Sequence, residues 1–166
     1  MELEFELLER PHVTRLASFR FAHHRVRGPY QPWQRAQALD AVADALERAE
    51  IDRAGPAFGI YYDLPYSDKE ADAWHADLGH PVAPDARVPT RPGLRVRDVP
   101  SVEVAALRYR GDLSSFPSAL RLLLEWTEER GTEPGPLMER FHVSDALTGA
   151  EERDVFLALG PGIDRE

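Results

Sequence analysis

Glu139 is the residue of this sequence best placed to do chemistry. It stands in Leu137-Met138-Glu139-Arg140-Phe141-His142-Val143. At the two-residue period of a strand it shares a side with Leu137, Phe141 and Val143. A carboxylate on an apolar side is costly unless paired or hydrogen-bonded, and burial raises its pKa. A group in that condition serves as an anchor for a cation, or as a general acid or base. The alternative is structural: a solvated strand end, or a glutamate held by a nearby arginine.

Aromatic residues supply the other half of a ligand site. Tyr30, Trp33, Phe58, Tyr61, Phe116 and Phe141 are candidates for its lining, because ring faces attract positive charge and accept flat apolar molecules. Tyr62 and Trp74 belong to the same aromatic set, and Trp126, on a helix face, is assigned to the core. If the site is catalytic, Tyr30 or Tyr61 is the candidate proton partner of Glu139. No metal is expected. His23 and His24 are adjacent on a strand and point to opposite faces, and His75 with Asp77 lacks a third ligand. Ser114-Ser115 reads as a helix cap, and Gly55-Pro56-Ala57-Phe58-Gly59 lacks the lysine and following helix of a phosphate loop. No cofactor is expected either.

The elements that must position these residues are spelled out nearly twice. Gly28-Pro29-Tyr30 precedes an apolar-periodic stretch from Pro32-Trp33, then Gly55-Pro56 and Gly59-Ile60-Tyr61-Tyr62-Asp63. Gly111-Asp112-Leu113 precedes a similar stretch from Phe116-Pro117, then Gly135-Pro136 and Glu139-Arg140-Phe141-His142. Gly28 and Gly111 are 83 positions apart, and Gly55 and Gly135 are 80 apart. Two copies at one spacing argue for a duplicated unit with a pseudo-twofold seam. Positions that differ between copies are candidates for function, and Gly59 is answered by Glu139.

Each half reads strand, strand, helix, strand, strand. Leu3, Phe5 and Leu7 alternate with glutamates as a strand that Pro11 interrupts, and a second strand runs from about Val13 towards Arg27. A helix from Pro32 turns Trp33, Ala36, Leu39, Val42, Ala43 and Leu46 to one face. Strands follow over Phe58–Asp63 and about Ala73–Val82. Prolines keep the linker 83–93 extended. The second half gives strands at Leu94–Val99 and Val102–Arg110, then a helix capped by Ser114 or Ser115. That helix carries the stripe Ala119, Leu120, Leu123, Leu124 and Trp126 and stops at Gly131; strands at Leu137–Val143 and Asp154–Leu159 complete the half. The first half carries about six extra residues, which place a bulge or extended hairpin near Phe21-Ala22-His23-His24. The expectation is one α+β domain over 1–166 with an antiparallel sheet: module 1 about 1–82, linker 83–93, module 2 about 94–160.

The chain has 166 residues, 43% hydrophobic and 30% charged, with a formal net charge of −9. That charge argues against a nucleic-acid backbone as direct partner and suits a cationic or neutral ligand. The absence of cysteine excludes disulfides and thiolate chemistry. No apolar run is long enough to cross a membrane, and the acidic start is unlike a signal peptide, so no membrane partner is expected and the cytoplasm is the default location.

Taken in order, Gly28-Pro29-Tyr30, Gly55-Pro56, Gly59-Ile60-Tyr61-Tyr62-Asp63-Leu64-Pro65, Asp77-Leu78-Gly79, Gly111, Trp126, Gly135-Pro136 and Glu139-Arg140-Phe141 resemble the GyrI-like family. These are the effector-binding domains also fused to AraC-type and MerR-type regulators. The resemblance covers about residues 3 to 159. It implies two βαββ modules of SHS2 type with a ligand pocket at the seam, into which Glu139 projects. In drug-sensing relatives the equivalent acid meets cationic aromatic ligands; in a branch of cyclopropanoid hydrolases it helps open a strained ring. Two departures are visible: Phe141 stands where many relatives carry tyrosine, and Asp112-Leu113 replaces Pro-Tyr. With strands starting almost at Met1 and a short tail after Leu159, the expectation is a stand-alone domain without a DNA-binding helix-turn-helix.

Three functions follow. The first is capture of a hydrophobic, drug- or toxin-like molecule, cationic aromatics included. The second is hydrolysis of strained electrophilic natural products by the same glutamate. The third is a protein partner such as gyrase.

Overall fold

The structure is a computed structural model and describes residues 5–27, 32–62, 75–112, 115–144 and 151–159. Among these residues the elements run β1 (Glu6–Leu16), β2 (Phe19–Arg27), α1 (Pro32–Arg48), β3 (Ala57–Tyr61), β4 (His75–Val82), β5 (Arg95–Val99), β6 (Val102–Gly111), α2 (Phe116–Glu129), β7 (Pro134–Ser144) and β8 (Glu151–Leu159). The fold is α+β with antiparallel pairing. None of the described helices is long and apolar enough to cross a membrane.

The chain divides into two compact units, Met1–Leu16 with Val102–Asp164 and Ala17–Ser101 with Arg165–Glu166. The first orders its strands β1-β6-β8-β7, the second β3-β4-β2-β5. The division departs from the sequence halves. β1 pairs with β6, with Leu16 opposite Val102, and β5 pairs with β2, with Val99 opposite Phe19. The opening strand of each half thus joins a unit built mainly by the other half. The two-residue connections Ala17-Ser18 and Pro100-Ser101 explain why neighbours in sequence do not pair. Neither offers the Asn-Gly or Gly-rich pair that a tight hairpin turn needs.

Pro11 does not end the first strand. β1 runs through it, with breaks in register between Leu7 and Glu9 and between Glu9 and His12. β1 lies at the end of its strand order, where an irregular stretch tolerates the missing N–H of proline. The region Phe21-Ala22-His23-His24 holds no bulge: β2 pairs with β4 in unbroken register from Arg20 to Arg27.

Helix α1 opens at Pro32, as the sequence predicts, but its buried stripe is Ala38, Val42, Ala45 and Leu46. Val42, Ala45 and Leu46 pack on Ala22, Val82 and Leu94, and Ala38 packs on Val26, Ala76 and Leu78. Trp33 is 66% exposed and Ala36 is exposed too. At about 100° per residue they lie roughly 140° and 160° round the helix from Ala38. Helix α2 buries Ala119, Leu120, Leu123 and Thr127, while Trp126 is half-buried beneath the Arg130 guanidinium. Gly131, at φ +69°, ends the helix in the left-handed conformation that glycine favours. Ser115 holds the cap position, yet its hydroxyl donates to Asp112 Oδ1 at 3.2 Å and makes no capping bond to the helix.

Gly79 fixes how closely β4 approaches β2. A Cβ there would run into the Ala22 carbonyl and sit 2.7 Å from His23 Cα, both backbone atoms that cannot swing aside. Gly79→Ala is expected to destabilise the protein by about 3 kcal/mol through overpacking. Urea unfolding monitored by circular dichroism reads the change; an unaltered midpoint would count against so close an approach.

Candidate functional site

The strands of the first unit bring Glu139 to a buried position on β7, 2% exposed, opposite Val155 of β8. One step along the same face, Phe141 stands opposite Arg153, and Arg153 stands opposite Tyr109 of β6. Arg153 Nη1 donates to Glu139 Oε2 at 3.4 Å, and Nη2 donates to Glu151 Oε2. Arg153 and Glu151 are buried as well. The guanidinium carbon lies 5.3 Å from the centre of the Phe141 ring and 5.6 Å from that of Phe116, the first residue of α2. Two half-buried rings, two buried carboxylates and one buried guanidinium therefore share a site of formal charge −1. The Arg153 Nε is buried and has no hydrogen-bond partner among the described residues.

The register explains the arrangement. Alternation puts Leu137, Glu139 and Phe141 on one side of β7, as the sequence predicts, and it ends at the break between Phe141 and Val143. Arg153 and Glu151 follow the same period along β8. The opposite phase makes a second cluster. Asp154 receives a two-pronged grip from Arg108, with Nε at 2.7 Å and Nη2 at 3.3 Å, and further contacts from Arg140 at 3.2 Å and His142 at 2.6 Å. Burial pushes the Asp154 carboxyl up, but the contacts of Arg108 and His142 outweigh it and hold its pKa below the usual range.

The second unit contains a comparable cluster around Asp77, which is fully buried. Arg25 grips it through Nε at 2.9 Å and Nη2 at 3.2 Å, the Tyr62 hydroxyl donates to it at 2.6 Å, and His23 Nδ1 lies 3.5 Å away. Arg97 donates to the Tyr62 oxygen at 2.9 Å. Burial raises the Tyr62 pKa, and its bond to Asp77 raises it further. His24 turns the other way and bonds the Gly93 carbonyl at 2.5 Å, so the two adjacent histidines face apart.

Of the residues singled out in the sequence, Glu139, Phe116 and Phe141 come together around Arg153. Phe58 is packed edge-to-face with Phe19 and Phe21 in the core of the second unit. Tyr61 packs against the cluster of Val26, Ala38, Ala76 and Leu78. Trp33 sits on the exposed side of α1, and Tyr30 and Trp74 lie outside the described residues. Arg153 and Glu151 were missed because the last strand begins at Glu151, three residues before the predicted start. The run Glu151-Glu152-Arg153-Asp154 looks solvated when read linearly. Its period-two split, answered by Glu139 on one side and Arg108 on the other, was the available signal.

The sequence model of the GyrI-like small molecule binding domain matches residues 10–155. The chain belongs to the GyrI-like family. Its fold is similar to that of the EcmrR C-terminal domain, at TM-score 0.76 and 12% identity over 92% of this chain and 98% of that one. Against the matched chain of an EcmrR–DNA complex, 92% of this GyrI-like chain is covered at TM-score 0.76 and 11% identity, and it spans 57% of that chain's length. It is similar as well to SAV2435 bound to tetraphenylphosphonium, at TM-score 0.58 and 11% identity over 92% and 94% of the two chains. A hydrolase encoded by lin2189 of Listeria innocua matches at TM-score 0.62 and 14% identity over 92% of each chain. At these identities the likeness is one of fold. No curated protein matches the sequence.

Proposed function

We propose that this GyrI-like protein captures a small, mainly apolar organic molecule at the Glu139 cluster, with Glu139 as its polar anchor and Phe116 and Phe141 as its lining. One observation carries the reading. Arg25 stands opposite Asp77 in the first half, and Arg108 opposite Asp154 in the second. Counted from those aspartates, Gly59 opposite Leu78 answers Glu139 opposite Val155, and Ala76 opposite Tyr61 answers Arg153 opposite Phe141. The halves are read as a duplication on this basis. The first half builds the same ladder with glycine and alanine, so the ladder itself does not require buried charges there. Burying them costs desolvation free energy that packing does not return. Charges kept against that cost point to a ligand.

The test is a thermal-shift comparison of the wild type and Glu139→Gln against flat cationic dyes and electrophilic natural products. A ligand that binds only the folded state raises the melting temperature, equivalent to about 2.7 kcal/mol at a hundred times its dissociation constant. At least one compound is expected to shift the wild type and to lose about tenfold or more in affinity in Glu139→Gln, since a hydrogen bond to a charged group is worth about 1.5–3 kcal/mol. Shifts that persist undiminished in the variant sink the proposal. Chains described as hydrolases share the fold, which favours hydrolysis as the second reading. Mass spectrometry of the recovered ligand separates the two: an unchanged mass means capture, a gain of water means turnover.

A further inference from the structure

The guanidinium of Arg153 already occupies the position that an organic cation would want. It lies within cation–π range of two rings, Phe116 and Phe141, and between two buried carboxylates, Glu139 and Glu151. We infer that Arg153 is a built-in occupant of this cation site, and that its hold sets which ligands enter. The inference rests on the reading of Glu139 as anchor and goes beyond it by naming what the anchor holds when no ligand is bound.

A comparison among the arginines of the molecule supports this role. Arg25 and Arg108 each grip one aspartate through both Nε and Nη2, the paired geometry that fixes a guanidinium. Arg153 instead splits Nη1 and Nη2 between two glutamates, and its buried Nε has no partner among the described residues. All three make two bonds to carboxylates, but Arg25 and Arg108 keep 20% and 30% of their side chains in solvent while Arg153 keeps 3%, and a buried donor left unmade is costly. Arg25 and Arg108 fasten strands; Arg153 fills a cage. The tether keeps its effective concentration at the cage high, so a free cation must displace it and binds with reduced apparent affinity. The site as it stands therefore disfavours monovalent organic cations. A ligand that leaves Arg153 in place and offers a hydrogen-bond acceptor to its Nε is favoured.

The probe is phenylguanidinium, a flat delocalised cation, titrated calorimetrically into the wild type, Arg153→Lys and the pair Glu151→Gln/Arg153→Gln. The pair keeps the cluster at −1 and takes the arginine from Glu139, so its fold is spared two unanswered carboxylates. Phenylguanidinium is expected to bind the pair about tenfold or more tighter than the wild type, as removal of an internal competitor predicts. Arg153→Lys is expected to stay weak, and adding Glu139→Gln to the pair is expected to abolish the gain. Should the pair not fold, Glu151→Gln alone loosens the hold on Arg153 and is expected to give a smaller gain in the same direction. Equal affinity in the wild type and the arginine-free pair, or in the wild type and Glu151→Gln if that variant must serve, overturns the inference. If neutral compounds still bind in a Glu139-dependent way, the broader reading survives that result. If no compound depends on Glu139 in any variant, both fall.

Discussion

Arg153→Ala is expected to lower the stability of the folded protein by about 3–5 kcal/mol, the range found when one partner of a buried ion pair is removed. The geometry makes the upper part of that range the expectation. One guanidinium answers both Glu139 and Glu151, all three side chains are buried, and its departure leaves two buried carboxylates without the cation they share. The contact of the guanidinium with Phe116 and Phe141 is lost as well. Glu151→Gln/Arg153→Gln removes the same arginine but only one charge remains, so its loss is expected to be well under that of Arg153→Ala. Urea unfolding of the three proteins decides the matter. If Arg153→Ala and the paired variant lose equal stability, the cost comes from lost packing and the charges are not what couples these residues.

Asp77→Asn is expected to cost about 3 kcal/mol at neutral pH and to lose that effect in acid. Asp77 is fully buried and takes hydrogen bonds from Arg25 and Tyr62, with the His23 ring in contact. Burial alone would raise its pKa; the contacts of His23, Arg25 and Tyr62 together outweigh burial and hold the carboxyl far below the usual range. A carboxyl depressed in the folded state contributes stability above its unfolded pKa of about 3.9, and that contribution is lost as pH falls towards the folded value. The gap between wild type and Asp77→Asn should therefore be constant from about pH 5 to 7 and shrink below about pH 4. The magnitude sits at the lower end for a broken buried pair because Arg25 keeps 20% of its side chain in solvent. A gap that widens in acid would contradict the assigned charge state of Asp77.

The sequence made the period around Glu139 readable because alternation on a strand is a local property. Glu139 and Leu137 are buried together as that period requires, and Met138, on the other side, is buried too. The stripe of α2 and its stop at Gly131 were local in the same sense. What local patterns could not give were the partners. Arg153 reaches Glu139 from 14 positions away, and nothing near either residue marks the other. The register of β1 was hidden for a related reason: Pro11 is a strand breaker by propensity, and only the strand's place at the end of the order makes it harmless. Trp33 misled because a tryptophan raises the apolar score of a helix turn whichever way it points, and the face was set by Ala38, Val42 and Leu46.

The exchange of opening strands has a consequence for how the chain is made. β1 is made before its partner β6, which lies about a hundred residues later, with Glu6 opposite Arg110. At usual rates of about 5–20 residues per second, β1 waits roughly 5–20 s with its ladder groups unpaired. Local contacts cannot shorten that delay, because the pairing is long-range by construction. The growing chain carries an unpaired, adhesive edge until β6 has been made, and slower synthesis between β2 and β6 lengthens that exposure.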